Sequence, residues 1–245
     1  MPRVPTSSYS WLSVTVLATL TLFATGCGSS RRSSSSARIR FINASPDTLS
    51  VNVLIDGKTV TTALANGGTS TAYMTVASGA RHIQVQDPNT LLFDIDTTPT
   101  ISSGDTTYII KDYSNGTGQL PAPLILTDTN TAPTTGNFSV RAINLSPTAN
   151  GGADAYVVVS TTSTLTGVTP NFSALPYPPT TASYVPLAVG TGSWEVIFTQ
   201  PGGKSQNQFY APVAPITFTA GQIETVLLVE DAAGTKSVVQ IVDVQ

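Results

Sequence analysis

The chain is short of the residues on which most protein chemistry relies. Its 245 residues include one cysteine, Cys27, and one histidine, His82. A lone cysteine excludes an intramolecular disulfide, so core burial alone must hold the fold. The same scarcity excludes the usual zinc ligand sets. Charged residues are 10% of the sequence, against roughly 25% in an ordinary globular chain. The formal net charge of −3 gives no sign of a strongly charged partner. No basic stripe interleaved with aromatics is present, so nucleic acid is not an expected partner. From Arg38 onward no window keeps the i, i+3, i+4, i+7 apolar spacing of an amphipathic helix.

What remains is Thr, Ser, Gly and Pro between short apolar runs, which suits strands joined by turns. "SVNVLIDGK" alternates Val51, Val53 and Ile55 and then meets Asp56-Gly57, a hairpin signal. "RHIQVQD", "DTTYIIKDY" and "PLILTD" read as further strands. The fold class expected is all-β.

Residues 1–26 read as a targeting leader: Arg3, then the uncharged run "WLSVTVLATLTLFA". The following "FATGCGSS" resembles a bacterial lipobox, with cleavage between Gly26 and Cys27. That resemblance implies a diacylglyceryl thioether on Cys27 and an acylated amino terminus, palmitate-type chains that would hold the protein on a membrane. An uncleaved transmembrane anchor and an ordinary secretory signal are the alternatives. Gly28 stands where an Asp would suggest inner-membrane retention, so the outer membrane of the bacterial cell envelope is favoured. Cys27 and a flexible Ser/Arg tether occupy 27–36.

The rest of the sequence runs through one pattern twice. "RIRFINASP" (38–46) returns as "SVRAINLSP" (139–147), with Arg40/Arg141, Asn43/Asn144 and Ser45/Ser146 in register. Downstream, Tyr184 answers Tyr73, Gly221 answers Gly104, and "VVQIVD" answers "PLILTD". These echoes predict a tandem duplication: β-sandwich domain 1 at 37–128, a linker at 129–137 and β-sandwich domain 2 at 138–245. Strand count and spacing suggest immunoglobulin-like sandwiches, with a small barrel as the alternative. "ARIRFINASPD", "VNVLIDGKTV", "YMTVASGARHIQV" and "ISSGDTTYIIKD" together resemble the domain of unknown function 4397. The resemblance implies a β-sandwich in secreted or lipid-anchored bacterial proteins and brings no activity with it.

Candidate site residues are few. Arg40 and Arg141 are placed on the outward side of the first strand of each copy and are candidates for ligand binding. Tyr177, amid prolines in "FSALPYPP", is a candidate exposed ring; Trp194 alternates with Val196 and Phe198 and is a candidate for either stacking or core packing. Asp94 and Asp96, with Phe93 and Ile95 inward, would share one strand face about 7 Å apart. Such a pair can cleave glycosides or hold Ca²⁺, although plain strand alternation accounts for it equally well. His82 is expected on the surface, and "GGKS" (202–205) reads as a hairpin turn because no helix pattern follows it. No catalytic residue, cofactor or metal site is assigned. The sequence points to a non-enzymatic, lipid-anchored surface protein binding glycan or an envelope protein. The alternatives are a spacer without ligand and, least favoured, a glycan hydrolase.

Overall fold

A computed structural model describes residues 35–114, 120, 122–160, 162, 164–211 and 214–244. The leader, the Gly26–Cys27 bond and most of the tether lie outside the described residues. Among those residues no helix is long and apolar enough to cross a membrane.

The expected all-β class holds. The first half contains β1 (Ser36–Asn43), β2 (Ser50–Ile55), β3 (Lys58–Ala65), β4 (Thr69–Ser70), β5 (Met74–Ala77), β6 (Gly79–Ala80), β7 (Ile83–Gln86), β8 (Phe93–Thr97), β9 (Thr100–Ile101), β10 (Gly104–Ile110) and β11 (Leu124–Asp128). The second contains β12 (Asn137–Asn144), β13 (Ala153–Val159), β14 (Phe172–Leu175), β15 (Val185–Ala188), β16 (Trp194–Thr199), β17 (Ala214–Ile216), β18 (Ile223–Glu230) and β19 (Lys236–Val244). The Asp56-Gly57 signal works as expected. Both residues take positive φ, 50° and 76°, and Ile55 pairs with Lys58 across a two-residue turn.

Each half is built from two main sheets. In the first half β11-β10-β1-β4 form one, with β5 also on β1, and β3-β2-β7-β8 the other. In the second half the orders are β15-β12-β18-β19 and β14-β13-β16-β17. The opening strand of each half pairs parallel with a late one, β1 with β10 and β12 with β18. Within the first half, Ile39, Phe41 and Tyr108 meet Val51, Val53, Ile83 and Val85 across the gap between sheets. In the second, Phe138, Val140 and Val226 meet Ala155, Val157, Val196 and Phe198.

The two halves do not hang apart on a linker. The other face of β1 and β10 carries Ile42 and Ile109, which join Ile143, Leu145, Leu227 and Val229 of the second half in a third buried cluster. Ser34–Gln245 is accordingly one compact unit. The sheets stack four deep, with β1-β10-β11 against β12-β18-β19 in the middle. Each fully buried Ile or Leu in this seam contributes roughly 1.5–3 kcal/mol.

Candidate functional site

The repeated arginines lie in that seam, and their expected outward exposure to solvent is corrected. Arg40 and Arg141 are only 2% and 0% exposed, because the outward face of each first strand is covered by the other half. Arg40 Nε donates to Thr107 Oγ1 (2.8 Å), and Thr107 donates to Asp128 Oδ2 (2.5 Å). Arg141 Nε donates to Thr225 Oγ1 (2.8 Å), and Thr225 donates to Asp243 Oδ2 (2.7 Å). The ion pairs then cross over. Arg40 Nη2 lies 2.5 Å from Asp243 Oδ1, while Arg141 Nη2 lies 2.6 Å from Asp128 Oδ1. Tyr73 and Tyr184 complete each set. Their rings lie 4.8 and 4.6 Å from the Arg40 and Arg141 guanidinium carbons. Their hydroxyls donate to Asp128 and Asp243, each at 2.6 Å.

Burial pulls the Arg40 pKa down, but Asp243, Tyr73 and Asp128 around it hold it above the ordinary value. Burial likewise lifts the Tyr73 and Tyr184 phenols, so both act as donors. The asparagines of the repeated phrase behave as Asx turns: Asn43 Oδ1 accepts from Ser45 N at 3.2 Å and Asn144 Oδ1 from Ser146 N at 3.1 Å. This constellation joins the halves and leaves neither guanidinium facing open solvent.

The paired-carboxylate expectation also fails. Val85 pairs with Ile95 and Gln86 with Phe93, so β8 carries one extra residue, Asp94. The bulge re-aims the strand: Asp94 is buried and Phe93 is exposed, the reverse of simple alternation. Asp96 is engaged elsewhere, with His82 Nε2 2.6 Å away and Gln84 donating at 3.0 Å. His82 is a surface residue whose hydrogen-bond partners include no serine side chain. Among the described residues no three His, Cys, Asp or Glu side chains converge as a closed metal-ligand set.

Trp194 is half-buried in the second core. It packs edge-on to Phe138 (5.5 Å, 71°) and Phe218 (6.1 Å, 76°). Tyr177 is half-buried rather than freely exposed, and its hydroxyl is enclosed without a hydrogen-bond partner.

An open cleft of about 580 Å³ lies instead on the outer face of β16, a size suited to a small ligand. Glu195 stands on this face because its neighbours Trp194 and Val196 turn into the core. Ile197 and Leu165 make an apolar floor, Phe209 adds a ring, and Ser160, Thr162 and Thr166 bring hydroxyls. Lys204 of the "GGKS" turn also borders the cleft, but its ammonium is tied to the Tyr156 hydroxyl (2.8 Å) and the Val168 carbonyl. The Glu195 carboxylate has no hydrogen-bond partner among the described residues, so it is the cleft's uncommitted acceptor. Nothing in the sequence marked this cleft, because its walls come from Ser160, Leu165 and Thr166 after β13 and from Lys204 and Phe209 after β16.

No curated protein sequence matches the chain. Similar solved structures include a family CBM26 carbohydrate-binding module of Eubacterium rectale Amy13K in complex with maltoheptaose. The likeness has 15% identity, covers 84% of this chain and 97% of that one, and has a TM-score of 0.26. A family 41 carbohydrate-binding module from streptococcal virulence factors shares 9% identity over 78% and 92% of the two chains, at a TM-score of 0.24. A leucine-rich repeat protein from Bacteroides thetaiotaomicron shares 15% identity over 81% and 27%, at 0.19. Likeness at this level carries nothing over to this chain. By sequence, residues 37–151 match the family described as Domain of unknown function (DUF4397).

Proposed function

We propose that the chain is a non-enzymatic, lipid-anchored cell-envelope protein that carries two copies of this domain and binds glycan through the β16 cleft. One observation carries the reading: a free carboxylate, several hydroxyls and an aromatic ring line an open cleft over an apolar floor. A sugar presents hydroxyl donors at its rim and C–H faces at its centre, so it complements both parts of that lining. The anchoring half of the proposal rests on the lipobox-like "ATGC" around Cys27.

A glycan array probed with the full chain, followed by titration of the best hit, tests the binding. Saturable binding that falls at least tenfold in both Glu195→Gln and Phe209→Ala supports this site. Binding that survives both substitutions moves the ligand elsewhere. Absence of saturable binding leaves the spacer reading, and turnover of the bound glycan replaces the proposal with a hydrolase.

A further inference from the structure

We infer that Asp94 anchors a site for a divalent cation of the calcium class, in the cavity between the Asp47 turn and the Asp87 loop of the first half. The bulge that parts Asp94 from Asp96 makes it a wall of a cavity of about 230 Å³, which Asp47, Asp87, Asn89 and Ser114 also border. Asp94 is 8% exposed, and none of the described residues gives its carboxylate a hydrogen bond or an ion pair. Its acidic neighbours are provided for. Asp47 accepts from Ser114 N (3.0 Å) and Oγ (2.7 Å), and Asp87 accepts from Asn89 N (2.7 Å) and Thr90 N (3.3 Å). The Asn89 backbone N–H holds Asp87 below the usual carboxylate range, so it is charged at neutral pH. Among the described residues no Lys, Arg or His borders the cavity.

An unpaired buried carboxylate beside two further acids is costly, and a counter-charge removes that cost. The surrounding donors are hard oxygens from carboxylate, amide and hydroxyl groups, which suit Ca²⁺ or Mg²⁺ over softer metals. An irregular, roomy set favours calcium, whose coordination is flexible, over octahedral magnesium. With no closed cage of three carboxylates, Asp94 is the direct ligand, and Asp47 and Asp87 act through their field.

Thermal unfolding of the full chain in rising CaCl₂, at constant ionic strength and with EGTA and MgCl₂ arms, tests the site. The melting temperature should rise saturably by about 3–6 °C at tenfold excess over Kd, with magnesium weaker. Asp94→Asn should lose the calcium shift and, in EGTA, unfold no lower than the parent. If that variant does not fold, Asp87→Asn should weaken the calcium midpoint several-fold. A parent with no calcium-specific shift overturns the inference. So does an unchanged shift in Asp94→Asn, or an unchanged midpoint in Asp87→Asn.

Discussion

Arg40 of the first half and Asp243 of the second meet at 2.5 Å, 203 positions apart in sequence, with both side chains all but removed from solvent. Their counterparts Arg141 and Asp128 make the reciprocal contact. A guanidinium in such a place is held by its carboxylate, and neither charge is tolerable alone.

Removing one member should therefore cost more than removing both. Arg40→Met should lower unfolding free energy by about 3–5 kcal/mol, and Arg40→Met with Asp243→Leu should recover a large part of it. Denaturant titrations of the single and double variants measure this. Equal stability in all of them would show that the crossed pairs hold nothing together.

Glu224 makes stability depend on pH. It is fully buried, and burial raises its pKa from 4.5 to about 7, with Asp243 adding to the rise and a hydrogen bond from Gln240 opposing it. The folded state thus holds a proton that the unfolded chain releases. The contribution of this group is best below about pH 4.5 and worsens as pH rises towards 7, then stays level. Glu224→Gln should stabilise the protein by about 1–3 kcal/mol at pH 8 and change little at pH 4. Melting curves at the two pH values check the sign.

Trp194 should behave as a core residue. Trp194→Ala should cost about 2–4 kcal/mol of stability, by opening space beside Phe138 and Phe218. The same variant, assayed well below its melting temperature, should retain glycan affinity within about threefold. A large loss of affinity without loss of stability would return Trp194 to the list of ligand contacts.

The proposed anchor is separable from everything else. Cys27→Ala should abolish labelling by a fatty-acid analogue and release the chain from membranes. Labelling that persists removes the lipobox assignment and leaves the cleft untouched.

Much of the fold was legible because strand alternation is local. Val51-Val53-Ile55 and Ile83-Val85 face the core as their period of two requires, and Asp56-Gly57 turns as its residues dictate. The echo of Arg40 by Arg141, Tyr73 by Tyr184 and Asp128 by Asp243 was equally visible. What it meant was not, because a strand pattern tells inward from outward but not solvent from a second layer. Ile42 and Ile143, on the supposed outer side, were the signal that another apolar surface lay there. Asp94 was misread for a different reason: one bulged residue reverses every facing beyond it, and nothing in "FDID" announces a bulge. The cleft beside Glu195 depends on two connecting turns far apart in sequence, so no window contained it.

Reciprocal pairing is the mark of an isologous contact, in which residue i of one copy meets j of the other and j meets i. Separate copies would meet this way only when concentrated. The eight residues between β11 and β12 instead keep each half permanently within reach of the other. Both inner sheets are thereby committed to one another, and neither can change a seam residue without its counterpart. The freedom to diverge falls to the outer sheets. There the halves do differ: a bulged aspartate over an acidic cavity on one side, and a carboxylate among hydroxyls on the other.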